Sequence, residues 1–292
     1  MAVRAPLPPL PKSLSPSAAQ AFEQCPRLFF WQKVSRIRQP ANAATAKGRV
    51  LHSGLELLFD LPRDERNLES LWRLVSEAWG SAKQDPDYAE VVSSPSFDEE
   101  RFLSDLRAAC ERYFRLERPW RFDPQAREMK LGGTVGGVRL FGVVDRFDSF
   151  PEHGAFITDY KTSKTPKPQY REEAFFQLLV YAALMREVKG VDVGELRLVY
   201  LGDPYAVVSL PVSEERLSQT VKRLARVWSQ IEESYAKADF PTRTSRLCDW
   251  CWFQDFCPAF AGSFEEAAAA AEQKGVPVEI LSPDEYRRRK AA

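Results

Sequence analysis

Asp145, Asp159 and Lys161 fall in two stretches of mostly apolar and β-branched residues, "GVVDRFD" and "ITDYKTS". A strand projects residues two apart onto one face, so the carboxylate of Asp159 and the ammonium of Lys161 emerge together. Asp145 shares its strand face with Val143 and Phe147. An ionised carboxylate among apolar neighbours is costly unless it is paired or bound to a metal. Thirteen residues separate Asp145 from Asp159, enough to finish one strand, turn and climb the next, so adjacent strands can set the two carboxylates side by side. Such charges repel unless a divalent cation lies between them. Oxygen donors suit Mg²⁺ or Mn²⁺, and Lys161 beside the ion offers a point charge to a phosphate oxygen or an attacking water. A plain Asp–Lys ion pair at a strand end is the alternative that these residues alone leave open.

The elements that must hold these groups are legible in outline. "REMKLGGTVGGVRLFGVVDRFDSFPEHGAFITDYKTS" reads as three antiparallel strands at about 126–131, 137–149 and 155–161, separated by Gly-Gly and "PEHG". A helix over about 171–189 stops at Gly190, and "ELRLVYL" and "YAVVSLPV" form a strand pair across "GDP". A long helix follows at about 213–238. Before the sheet, Ser15 caps and Pro16 opens a first helix. Apolar spacing predicts further helices near 47–60, 66–80 and 97–117. Residues 81–96, with Pro86 and Pro95, read as a loop. The proline-rich residues 1–13 read as a flexible tail, and an alanine-rich helix and the basic "RRRK" end the chain. There is no internal repeat.

The composition is that of an ordinary globular chain, with 44% hydrophobic, 12% aromatic and 28% charged residues in 292. No apolar run approaches the roughly 20 residues that span a bilayer, and no secretory signal is visible, so the expectation is a cytoplasmic protein without membrane contact. Lys plus Arg equals Asp plus Glu, 41 each, so net charge is silent about nucleic acid, but its distribution is not. No acid occurs between Glu23 and Glu56, whereas Arg27, Lys33, Arg36, Arg38, Lys47 and Arg49 do, with Phe29, Phe30 and Trp31 among them. Cations interleaved with aromatics suit a phosphate backbone and stacked bases; a solvated helix face gives the same local pattern.

Of five cysteines, three form "CDWCWFQDFC" (Cys248, Cys251 and Cys257), a fourth is Cys25 in "FEQCPRLFFW", and Cys110 sits alone in a helical pattern as packing. Four thiolates accept zinc or an iron–sulfur cluster, while disulfides do not persist in a reducing cytoplasm.

Taken in order, "KGRVLHSGLE" with His52, "GVVDRFD", "DYKTS" and "FFQLLVYA" resemble the PD-(D/E)XK nuclease superfamily in its RecB/AddB-like branch, which includes CRISPR-associated iron–sulfur exonucleases. The resemblance covers most of residues 14–260. It implies an α/β restriction-endonuclease-like core with a central mixed sheet flanked by helices. It further implies that His52, Asp145 and Asp159, with the carbonyl of Tyr160, hold Mg²⁺ or Mn²⁺. Lys161 then positions or deprotonates the attacking water, Glu128 assists from the first core strand, and Gln177 and Tyr181, one turn apart on a helix, orient DNA or the lysine. Cys25, Cys248, Cys251 and Cys257 are implied to hold a [4Fe–4S] cluster that staples the chain ends, with Zn²⁺ as the alternative. The implied organisation is a tail (1–13), a helical region with the basic segment and one cluster cysteine (14–125), a nuclease core (126–240), a cysteine region (241–262) and a helical, basic tail (263–292).

The expected activity is metal-dependent hydrolysis of DNA, by an exonuclease preferring single-stranded ends in repair or recombination. An inactive nucleic-acid-binding subunit and a structure-specific endonuclease are the alternatives. No G-x₄-GK[ST] loop is present, so any motor would be a partner such as a helicase or repair complex.

Overall fold

In a computed structural model, the structure describes residues 7–151 and 154–288. His153, in the "PEHG" turn, and the end of the basic tail lie outside the described residues. Helices α1 (Pro16–Gln24) and α2 (Pro26–Phe29) open the chain, followed by α3 (Ala43–Leu58), α4 (Leu68–Ala82), α5 (Pro86–Ser93) and α6 (Glu99–Leu116). Strands β1 (Ala126–Val135), β2 (Val138–Phe150) and β3 (Gly154–Lys161) come next, then α7 (Arg171–Ala174) and α8 (Phe176–Leu184). Strands β4 (Val193–Tyr200) and β5 (Ala206–Pro211) precede α9 (Glu214–Ala236), α10 (Phe264–Gln273) and α11 (Pro283–Arg288).

The strands form one sheet in the order β1-β2-β3-β4-β5. It is mixed: β3 and β4 run parallel and the other neighbours antiparallel, as a crossover through α7 and α8 requires.

Two of the expected elements differ. The stretch 81–96 is not all loop, because Asp85 caps α5 and accepts from Asp87 N at 2.9 Å. Pro86 stands at the first helical position, where its missing N–H costs nothing. The helix expected over 171–189 is broken at Phe175 and ends in a wider turn at Met185–Lys189, closed by Gly190 at φ +64. α3 also begins four residues before the expected 47, at a reciprocal cap in which Asn42 and Thr45 bond each other's backbone at 2.9 Å.

Two compact units result, Pro40–Lys222 and a second made of the chain up to Gln39 and from Arg223 onward. This division does not fall at residues 125 and 240, because the helices before the sheet pack on it. Leu51, Leu55 and Leu58 of α3, Val75 and Trp79 of α4, and Leu106 and Tyr113 of α6 share one core with Tyr160, Val199 and Leu201. A Cβ on Gly54 would come within 2.4 Å of Val75 Cγ2, so this glycine sets how closely α3 and α4 approach. α8 packs against β1, β2, β3 and β4. In the smaller unit Trp31 stacks on Phe253 at 4.9 Å between centroids, and the buried Arg27 pairs with Glu285 at 2.8 Å. Among the described residues no helix is long and apolar enough to cross a membrane.

Candidate metal centre

The larger unit gathers His52, Glu128 and Asp145 so that one ligand atom of each lies within 4.8 Å of the others. His52 projects from the middle of α3. Its Nε2 is 2.7 Å from the carbonyl oxygen of Tyr160, and its Nδ1 is 3.4 Å from Asp145 Oδ2. The same Asp145 oxygen accepts from the Tyr160 N–H at 3.0 Å. A 2.7 Å gap between imidazole nitrogen and carbonyl oxygen serves two arrangements. It is a hydrogen bond when Nε2 is protonated. It is also near the ~3.0 Å edge of an octahedral site with bonds of about 2.1 Å.

Backbone distortion brings Glu128 and Asp145 here. Gly142 faces α8, since a Cβ on it would meet Tyr181 Cε1 at 2.3 Å. Regular alternation would put Arg146 on that face, yet Arg146 reaches Glu117, after α6, and the hydroxyl of Tyr160. β1 slips likewise: Gly133 faces Leu184 and Val188 beyond α8, whereas Arg127 bonds Asp60 just after α3 at 2.6 Å. The ladder pairs Arg127 with Arg146 and Met129 with Val144, and omits Glu128 and Asp145 between them. Glu128 takes φ +42, in the left-handed region that costs a side-chain-bearing residue about 1–3 kcal/mol. Both strands therefore exchange faces at one step, and the two carboxylates sit at that step.

Asp159 stands outside the three-ligand group. Its Oδ2 is 2.7 Å from Lys161 Nζ, and its Oδ1 accepts weakly from Gln177 at 3.4 Å. Gln177 also donates to the Tyr181 hydroxyl at 3.0 Å, so the two residues expected one turn apart on a helix do bond each other. Asp159 is nonetheless close enough to matter to Asp145. Burial, then the Asp159 charge, push the Asp145 carboxyl up to about 7, against the relief given by His52 and the Tyr160 N–H. Burial also raises Glu128.

These shifts fix a sign. A carboxyl whose pKa is raised on folding stabilises the fold fully below its unfolded value, near 4, and loses that contribution as pH climbs toward 7. Without metal the protein is expected to melt at a lower temperature at pH 8 than at pH 5.5. Millimolar Mn²⁺ should raise the melting temperature more at pH 8, where the ligands are ionised. Calorimetric scans at both pH values check this, and an equal Mn²⁺ effect at each counts against it.

The candidate DNA contacts divide between the units. Within the larger one, Lys47 pairs with Asp105 at 2.5 Å and Arg49 donates to the Tyr88 hydroxyl at 3.1 Å. In the smaller, Arg27 is 3% exposed, with its charge over the rings of Phe30 and Trp31, and so is withdrawn from any surface track. Lys33, Arg36 and Arg38 belong to this unit too, Arg36 in the left-handed region at φ +53.

The smaller unit also gathers Cys25, Cys248, Cys251 and Cys257 around one cavity. Each sulfur receives a backbone N–H: Arg243 N to Cys25 and Ser245 N to Cys248, both at 3.4 Å, Phe253 to Cys251 and Ala259 to Cys257. Cys110 is buried in the other unit's core.

A family model of the PD-(D/E)XK nuclease superfamily matches residues 13–258. The chain belongs to that superfamily. Among solved structures, a Eubacterium rectale protein provisionally assigned as an exonuclease aligns over 82% of this chain and 87% of its own, at TM-score 0.56 and 13% identity. That likeness shows the fold. The protein SSO0001 aligns over 84% of this chain and 95% of its own at 14% identity, with a TM-score of 0.35 that bears no weight. No curated protein matches. As a PD-(D/E)XK nuclease, the protein is a hydrolase acting on nucleic acid, and enzymes of this superfamily use divalent metals.

The sequence pointed to Asp159 as a ligand and to Glu128 as an assistant. The structure puts Glu128 with His52 and Asp145, and sets Asp159 against Lys161. The break in both strands carried no glycine or asparagine at Glu128 to announce it.

Proposed function

We propose that the protein is a Mg²⁺- or Mn²⁺-dependent DNA exonuclease preferring single-stranded ends, of the kind that serves repair or recombination. One observation carries this reading: an imidazole and two carboxylates converge within 4.8 Å beside an Asp159–Lys161 pair at 2.7 Å. His52, Glu128, Asp145 and the Tyr160 carbonyl would hold the ion, with Asp159 joining once its carboxylate turns from Lys161. The imidazole favours Mn²⁺ over Mg²⁺. The bound ion supplies an acidified water and neutralises charge developing on phosphate. Lys161, released from Asp159 and still an ammonium, would orient that water or face the phosphate oxygen. Gln177 keeps Asp159 aimed through its bond to Tyr181, and Gly142 leaves room for the Tyr181 ring. The preference for ends rests on the sequence resemblance to RecB/AddB-like nucleases and on the assignment of the Eubacterium rectale protein.

The four cysteines are assigned to a [4Fe–4S] cluster. The N–H···S bonds at all four sulfurs suit thiolates carrying cluster charge. A tetrahedral zinc site with 2.3 Å bonds sets its sulfurs ~3.8 Å apart, and among the described residues no three of these close within 4.8 Å. Burial pushes the Cys257 thiol up to about 12, a cost that cationic iron offsets. The role is structural.

End-labelled linear and circular single strands, incubated with Mn²⁺ and with chelator, test the activity. Metal-dependent loss of the linear strand alone is expected, and cleavage of circles would make the enzyme an endonuclease. An absorption band near 400 nm with about four iron atoms per chain is expected of the same preparation; a colourless, zinc-containing protein would end the cluster assignment.

A further inference from the structure

The loop after β3 and the first residue of α7, "TSKTPKPQYR" over residues 162–171, carry Lys164, Lys167 and Arg171 and no acid, with Glu172 and Glu173 following in the helix. The loop leaves the sheet directly after Lys161. By the reach of an extended chain, Lys164 lies within about 10 Å of Lys161 along the backbone. Lys164 and Lys167 are exposed, and Tyr170 is 62% exposed. Arg171, partly exposed, spends its Nε on the Pro166 carbonyl at 3.2 Å, which leaves its terminal nitrogens as further donors.

These cations differ from those the sequence first suggested. Lys47 is held by Asp105, whereas no carboxylate among the described residues lies within 4.0 Å of Lys164, Lys167 or Arg171. The groove lined in part by Thr162 and Ser163, about 640 Å³, sets Glu90, Asp98 and Asp105 against Lys47 and Arg101, so it offers a polyanion no net positive charge. The segment that follows Lys161 therefore carries three cations without a carboxylate partner among the described residues.

The loop is also held in shape. Gly202 N donates to the Ser163 carbonyl at 3.1 Å, and Thr165 N to the Pro204 carbonyl at 2.8 Å. The Thr165 hydroxyl donates to that same carbonyl at 2.9 Å. A Cβ on Gly202 would lie 2.4 Å from Lys164 N and Ser163 C, both backbone atoms that cannot swing aside. A ligand meeting this loop therefore meets a backbone anchored at residues 163–165, and the ordering entropy that opposes binding lies mainly in the lysine side chains.

We propose that residues 164–171 form the phosphate track of the centre: Lys164, Lys167 and Arg171 bind successive phosphates of a single strand next to the scissile bond, and Tyr170 stacks on one of its bases. This deepens the nuclease reading and rests on it. The mixture of cations and one exposed ring fits a single strand.

The test measures binding of a labelled 20-nucleotide single strand in chelator, across a salt series, for wild type and a Lys164→Ala, Lys167→Ala, Arg171→Ala triple variant. Affinity is expected to fall about tenfold or more, and the slope of log affinity against log salt by about 2, at ~0.7 per phosphate contact. Tyr170→Ala should weaken binding several-fold with the slope unchanged. Mn²⁺ binding by the triple variant, followed calorimetrically, should match wild type, which shows the fold and centre intact. A triple variant with wild-type affinity and slope overturns the track while leaving the nuclease reading standing. A wild type that neither binds nor digests any strand overturns the reading itself.

Discussion

Lys161→Ala is expected to lower strand digestion by at least about a hundredfold, the cost of removing one group aimed at developing charge, without weakening Mn²⁺ binding. The second half is what separates chemistry from structure. The ammonium sits 2.7 Å from Asp159 Oδ2, an oxygen the ion would use. Deleting it removes a competing cation, so affinity for Mn²⁺ should hold or tighten. It also leaves Asp159 and Asp145 to repel each other, so the metal-free variant should melt below wild type and regain the loss on adding metal. Asp145→Asn behaves differently, because the Asp145 carboxylate accepts the Tyr160 N–H and faces His52. It should lose activity and metal affinity together. Rate measurements with saturating Mn²⁺, set beside calorimetric titrations of each variant, distinguish the two. Near-wild-type digestion by Lys161→Ala would remove the lysine from the mechanism.

Much of this arrangement could be read from residue types because each signal was local. The i, i+2 spacing in "DYK" became an ion pair, and the i, i+4 spacing of Gln177 and Tyr181 became a 3.0 Å hydrogen bond. Gly-Gly at 136–137 made the hairpin, both residues taking positive φ. What stayed hidden depends on context that a single residue type does not carry. Pro86 signalled a break because its role as a first helical residue needs Asp85 as cap. Arg27 looked like a surface cation because nothing near it in sequence reveals Glu285. The face exchange at Glu128 and Asp145 is invisible for a different reason. Register is kept across it, Arg127 opposite Arg146 and Met129 opposite Val144, so no residue is inserted and no turn-former is needed. The strain at Glu128 is supported by packing on both sides, α8 against Gly142 and Gly133 and the end of α3 against Arg127.

Arg146 is the other residue whose loss should be severe, and its alternating neighbours in "GVVDRFD" gave no hint of its burial. It is 2% exposed, yet nearly every donor is used. Its Nε bonds Asp148 at 2.9 Å, both terminal nitrogens meet the Glu117 carboxylate, Nη2 at 2.9 Å, and Nη1 bonds the Tyr160 hydroxyl at 2.5 Å. The ring of Phe122 lies 4.9 Å from the guanidinium carbon. Removing one member of a buried ion pair strands the other, at a typical cost of about 3–5 kcal/mol, a third or more of an ordinary domain's stability. Arg146→Ala should therefore lower the unfolding free energy by that amount, read as the shift in denaturant midpoint multiplied by the slope of the transition. A Glu117→Gln change, which keeps the size of the side chain, should cost less. The effect reaches the metal centre through one residue. Tyr160 is held at its hydroxyl by Arg146, while its carbonyl faces His52 and its N–H holds Asp145. In Glu117→Gln, which stays folded, Arg146 holds Tyr160 less firmly, so Mn²⁺ affinity should drop several-fold with the rate at saturating metal little changed. A purely structural role for the pair would lower stability alone, and unaltered metal affinity in that variant would show that Tyr160 needs no such anchor.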